Sequence, residues 1–238
     1  MIQLMSSREI CLDIETTGLD PRDGHKIIEI ACVELVNKIK SGKVFHTYVN
    51  PRREVPREAF NIHGISTEFL KDKPIFDHIA HKFLDFVKDA QLVIHNSAFD
   101  SKFLNYELKI LGLQGLDMSR ITDTLLIARK KFPGSPASLD ALCKRFNVDS
   151  SRRTKHGALL DTELLCDVYV ELMGGAQAGL GFEVEKKSQI SAKVEQTIVE
   201  NQTKKTLPKR DFPASEDDLK NHKEFVMKNF KSNLWGYC

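Results

Sequence analysis

Apolar positions near the start of the chain fall in three runs: "REICLDI" (8–14), "KIIEIACVELV" (26–36) and "KVFHTYVN" (43–50). Short polar or Gly-containing connectors separate them, the pattern of an antiparallel meander. The period then changes. In "FDHIAHKFLDFVKDA" the residues Ile79, Phe83, Phe86 and Val87 recur at helical spacing. "QLVIHN" is a short apolar strand, and "AFDSKFLNYELKILG" predicts a helix with Phe99, Phe103, Tyr106 and Ile110 on one face. A weak strand or turn at "SRITDT" precedes helices at 124–131 and 137–146. "GALLDTELLCDVYVELMGG" predicts a strong helix that stops at Gly174-Gly175. Strands followed by alternating strands and helices predict an α/β fold, a mixed sheet covered by helices.

The pattern fades after Gly175. Residues 183–211 are polar with scattered apolar positions and predict a flexible tether. A last helix is predicted from Ser215, where Asp218 completes a capping-box-like start and acidic residues suit the helix dipole. Leu219, Val226 and Phe230 fall on one face of it, with Leu234 and Trp235 beyond.

Composition narrows the class. No apolar run reaches the length needed to span a bilayer, and the N-terminus lacks a signal-peptide pattern. The five cysteines (Cys11, Cys32, Cys143, Cys166, Cys238) are odd in number, with no C-x-x-C pair, so a reducing, cytoplasmic setting is expected. The net charge of +2 argues by itself for no particular partner, and neither residues 1–182 nor 183–238 resemble a highly basic duplex-coating module, so any grip on nucleic acid is expected to be local.

The candidate chemistry lies in "CLDIETTGLD". Asp13 and Glu15 alternate with apolar residues on one strand, so both carboxylates share a face beside a Gly-containing turn. Like charges that close disfavour joint ionisation, and a bound cation would relieve them. Further acids stand at element ends: Asp100 after "LVIH", and Asp161 in a helix preceded by His156. Gly157 is expected to let His156 turn back from the loop towards Asp161. Taken singly, each acid is more often a solvated strand-end or helix-start residue than a ligand. Thr16 and Thr17 are expected to shape the turn, and His95 and Asn96 the strand-to-helix corner.

"DIETTG", "HNSAFD" and "HGALLD", in this order, resemble the three motifs of the DEDDh-type 3′→5′ exonucleases. The resemblance runs through residues 8–175 and includes "GHKIIEI", "EAFNIHGI" and "SLDALCKRF". It implies a ribonuclease-H-like mixed five-stranded sheet with flanking helices in a catalytic domain of residues 1–176. It also implies metal ligands at Asp13, Glu15, Asp100 and Asp161, a catalytic His156, and Glu58 and His63 beside the terminal nucleotide. Asp13, Glu15 and Asp161 would touch the substrate too. Two divalent ions, Mg²⁺ or Mn²⁺, suit such oxygen donors and can serve both ends of a phosphodiester displacement. Asp13 would bridge them, Glu15 and Asp161 would hold one, and Asp100 would bind directly or through water. A histidine, with an ordinary pKa of about 6.5, suits deprotonation of the attacking water.

The function implied is proofreading of a single-stranded DNA 3′ end for a bacterial replicative polymerase. The motifs serve a stand-alone DNA- or RNA-trimming exonuclease equally, and a structural polymerase accessory is the non-enzymatic alternative. Residues 212–238, ending beside Trp235, are expected to dock on the polymerase catalytic subunit. "QAGLGF" (177–182) resembles the peptide by which bacterial replication proteins engage the sliding clamp. Gln177 would supply its amide, and Leu180 and Phe182 its apolar anchors; packing of the same residues on their own domain is the alternative. A small accessory subunit is a further expected partner.

Overall fold

A computed structural model describes residues 7–174 and 215–229. These fall in two units, residues 7–174 in the first and 215–229 in the second. The expected clamp peptide with Gln177, Leu180 and Phe182, the expected tether at 183–211, and residues 212–214 and 230–238 lie outside the described residues.

In the first unit β1 (Arg8–Thr16), β2 (Ile27–Val36) and β3 (Ile39–Tyr48) form the predicted meander. The third strand begins at Ile39, earlier than its apolar run. Asn37 and Lys38 both take positive φ (51° and 67°) and close a two-residue hairpin whose twist matches the strands. Polar Lys40 and Ser41 then sit on an exposed edge, which hides the strand from a hydrophobic reading. β4 (Gln91–Ile94) and β5 (Ile121–Asp123) add in parallel, giving the five-stranded order β3-β2-β1-β4-β5. The sheet is mixed and five-stranded, as expected.

Two helices near residue 60 were not foreseen: α1 (Arg57–His63) and α2 (Thr67–Leu70). α3 (Phe76–Val87) buries Ile79, Phe83 and Val87 against one face of the sheet, with Phe86 packed at the margin. α4 (Ser97–Ile110) departs from its predicted face: Ile110 is exposed, and the buried side carries Asp100, Phe103, Leu104, Glu107 and Leu108. Glu107 enters because Lys26 reaches it at 3.1 Å, so a paired charge replaces the expected apolar residue. α5 (Thr124–Lys131), α6 (Leu139–Phe146) and α7 (Ala158–Leu172) follow. They cover the opposite face through Leu142, Leu165, Val168 and Tyr169. β1 thus packs on both sides, Ile10, Leu12 and Ile14 into one core and Cys11 into the other.

In the second unit, α8 (Glu216–Asn229) starts as predicted, with the Asp218 N–H donating to Ser215 Oγ at 3.2 Å. Val226 is buried on it, but Leu219 is exposed. The expected shared apolar face therefore does not extend to its first turn.

Candidate active site

Asp13 and Glu15 share a face of β1 because strand side chains alternate, and both are half-buried. Between Glu15 and Thr16 the pairing with β2 shifts, a bulge that ends the regular ladder where the turn begins. Thr16 Oγ1 donates to the Gly18 carbonyl at 2.6 Å, and Thr17 Oγ1 accepts from the Lys26 N–H at 2.9 Å. The side chains of both threonines hold the turn, as expected. A Cβ on Gly18 would stand 2.3 Å from the His25 ring, so any larger residue here would displace that ring.

Asp100 comes from the first turn of α4 and accepts from the Ile14 N–H at 3.2 Å, which ties that helix to the strand bearing the other acids. The corner before it is built by Asn96, in the left-handed region at φ 66°, a conformation that asparagine tolerates. Asp123 holds the corner. Its carboxylate accepts from the Ser97 N–H and hydroxyl, each at 2.9 Å, and from the Leu125 N–H at 2.8 Å, so it caps α4 and α5 together. His95 turns towards Thr124 Oγ1 at 2.9 Å, consistent with the expected corner role.

Asp161 lies in the first turn of α7, and His156 in the loop before it, with His156 Nδ1 3.3 Å from Asp161 Oδ2. The approach was expected, but not its cause. Gly157 has φ −158°, extended backbone open to any residue, so its flexibility is not what turns the loop. The His156 N–H donates to the Ile62 carbonyl at 3.2 Å, anchoring the loop to α1.

One oxygen each from Glu15 and Asp161 and a nitrogen of His156 lie within 4.8 Å of one another. Asp13 and Asp100 lie near enough to interact electrostatically with these acids, so four carboxylates gather beside the His156 ring. Burial pushes the Asp13 carboxyl well above its ordinary value, and Asp100, Glu15 and Asp161 add to the shift. Glu15 is raised to about 8, first by burial and then by Asp161 and Glu29. Asp100 is also raised to about 8 by burial, against its backbone hydrogen bonds. Such a set fits hard divalent ions, which would favour the charged carboxylates.

A cavity of about 630 Å³ is bordered by Asp13, Asp140, His156 and Asp161. Another, of about 520 Å³, is bordered by Glu15, Glu58, Ile62, His63 and Phe99. Glu58 is exposed on α1, whereas His63 is buried. His63 Nδ1 accepts from the Ile65 N–H at 3.0 Å, so the neutral ring carries its proton on Nε2. Nε2 has no partner among the described residues, and burial pushes the ring pKa down.

Sequence reasoning missed two residues. Glu29 is buried on β2 opposite Glu15; its Oε2 accepts from the Ala158 N–H at 3.1 Å and its Oε1 meets His46 Nε2 at 2.8 Å. An acid inside the apolar run "IIEIACV" was the available signal. Arg153 forms a fork on Asp161, Nε to Oδ1 at 2.5 Å and Nη2 to Oδ2 at 2.7 Å. Nothing in "SSRRTKHG" distinguishes it from its solvated neighbours.

Clustered carboxylates beside a histidine on a ribonuclease-H-like sheet are the parts that a metal-dependent nuclease uses. The exonuclease family pattern (RNase_T) matches residues 10–169, and the chain belongs to the DEDDh-type 3′→5′ exonucleases of that family. Enzymes of this family depend on two divalent metal ions. Its relatives include the DNA polymerase III subunit epsilon of Rickettsia conorii, 50% identical over 96% of this chain and 99% of that protein. The DNA polymerase III subunit epsilon of Escherichia coli K12 is 41% identical over 96% of this chain and 97% of that protein. The fold is shared with exonuclease X in complex with 5′ overhanging duplex DNA (TM-score 0.54, 23% identity, 69% of this chain and 90% of that one). It is shared also with the nuclease domain of 3′hExo bound to rAMP (TM-score 0.60, 20% identity, 71% and 93%).

Proposed function

We propose that this chain hydrolyses the terminal phosphodiester at a DNA 3′ end, releasing nucleoside 5′-monophosphates, as the proofreading subunit of a bacterial replicative polymerase. The observation that carries it is the convergence of Asp13, Glu15, Asp100, Asp161 and His156 from one strand, two helices and one loop. The extent of similarity to the epsilon subunits, nearly end to end, supports the polymerase setting.

Asp13, Glu15, Asp100 and Asp161 would hold two divalent ions, Mg²⁺ or Mn²⁺. When bound, these ions supply a lowered water pKa and charge stabilisation at both ends of the displacement. His156, exposed at the cavity mouth, takes the proton of the attacking water. His63 and Glu58, which border the second cavity, would contact the terminal nucleotide there. A mispaired end is easier to unpair, so it reaches the cavity more readily.

Residues 212–238 are proposed to dock on the polymerase catalytic subunit, and Gln177, Leu180 and Phe182 on the sliding clamp, with a small accessory subunit as a further partner. Among the described residues no helix is long and apolar enough to cross a membrane. Cys11, Cys32, Cys143 and Cys166 are buried free thiols, which suits the proposed cytoplasmic setting. The test is purification of the native complex, then a nuclease assay on paired, mispaired and RNA 3′ ends. Preference for mispaired DNA is expected; equal trimming of RNA ends by a chain that purifies alone would replace the proofreading role with a trimming one.

A further inference from the structure

The mechanism above leaves Arg153 without a task, yet its guanidinium reaches into the acidic cluster. Its side chain is 8% exposed. Two nitrogens fork onto both oxygens of Asp161, and Nη1 donates to Asp140 Oδ1 at 2.7 Å. Nη2 also donates to His156 Nδ1 at 3.0 Å. We propose that Arg153 is an internal counter-cation that holds the Asp161 carboxylate in the metal-free enzyme and competes with divalent ions for it. This rests on the metal reading of the site given above.

Three observations support it. The pairing engages both oxygens of one candidate ligand, in the bidentate geometry that makes arginine–carboxylate pairs strong. A guanidinium does not lose its proton, so the charge must be moved or shared when a second cation arrives. Asp140 offers the place to move: its side chain is 57% exposed at the cavity rim and already holds Nη1. Release from Asp161 therefore does not strand the charge.

The same contact reaches His156. A guanidinium nitrogen only donates, so Nδ1 accepts and the neutral ring carries its proton on Nε2. In this arrangement Nε2 has no lone pair with which to take a proton from water. One side chain thus covers a metal ligand and sets the base in its unproductive tautomer.

The test is Mn²⁺ binding to the full chain, read by electron paramagnetic resonance in the absence of DNA, so no turnover is required. Arg153→Gln should bind Mn²⁺ about tenfold more tightly than wild type, since charge-assisted hydrogen bonds to Asp161 no longer compete. Arg153→Lys, which keeps the charge but not the fork, should tighten binding only severalfold. Equal or weaker binding by a folded Arg153→Gln protein overturns the inference. Should that variant not fold, Arg153→Lys binding no tighter than wild type overturns it as well. A wild-type chain that binds no Mn²⁺ overturns the metal reading beneath it.

Discussion

Glu29 Oε2 accepts the backbone N–H of Ala158 at 3.1 Å, linking the second strand to the first residue of α7 across 129 positions of sequence. That N–H is one of the donors a helix start leaves without an intrahelical partner. Gly157, at the N-cap, has no side chain to supply, so the cap comes from the sheet. His156 lies two residues before Ala158 and Asp161 three after it, so the contact fixes the helix start that carries both. Glu29→Ala should cost about 1–3 kcal/mol of stability, the penalty of a buried donor left unpaired, and should lower kcat. Glu29→Gln keeps an acceptor and should cost less. Urea denaturation of both variants checks this, and equal losses would remove the capping role.

The raised carboxylates predict a pH-dependent stability. Unfolded Asp and Glu titrate near pH 4, whereas Glu15 and Asp100 stand at about 8 and Asp13 is raised as well. Between about pH 4 and 8 the folded, metal-free chain holds protons that the unfolded chain has lost, so stability falls as pH rises through that window. Divalent ions favour the charged carboxylates and offset the loss. The melting temperature in EDTA should decline from pH 5 to 8.5 by roughly these pKa limits, while the rise given by Mn²⁺ grows. A Mn²⁺ effect independent of pH would contradict the raised cluster.

His156→Ala separates base from ligand. As the base, His156 should contribute about 10²–10⁴-fold to kcat, with Mn²⁺ affinity within a few fold of wild type. Its ring nitrogen lies close enough to Glu15 and Asp161 to ligate an ion instead. Loss of Mn²⁺ affinity in step with activity would make it a ligand.

Deleting residues 208–238 should leave hydrolysis of free oligonucleotides intact and abolish co-purification with the polymerase subunit. A truncated chain that still co-purifies would place the docking surface elsewhere. The Gln177→Ala, Leu180→Ala, Phe182→Ala triple variant should lose clamp binding without a change in melting temperature. Unchanged clamp binding with a lower melting temperature would show that these residues pack on their own domain.

The strand acids and the order of the three motifs were legible because the chemistry is written locally. Asp13 and Glu15 interrupt an apolar run, and Asp100 and Asp161 open helices. What could not be read depends on residues far apart in sequence. The α1 helix has only seven residues and no side-chain cap, so neither period nor start signal marks it. Arg153 reads as one more solvated charge until α7 and α6 bring Asp161 and Asp140 to it. Glu107 looks misplaced on a buried helix face until Lys26 arrives from the edge of β2.

The central claim is that the carboxylates hold the ions through which a 3′ end is hydrolysed, and Asp13→Ala tests it most directly. The substrate is a DNA strand with a labelled, mispaired 3′ terminus, incubated with Mn²⁺ or with EDTA. Wild-type protein should release the terminal nucleoside 5′-monophosphate in Mn²⁺ and nothing in EDTA. The Asp13→Ala protein, folded by circular dichroism, should release nothing in either. Undiminished release by wild type in EDTA, or by the Asp13→Ala protein in Mn²⁺, would contradict it.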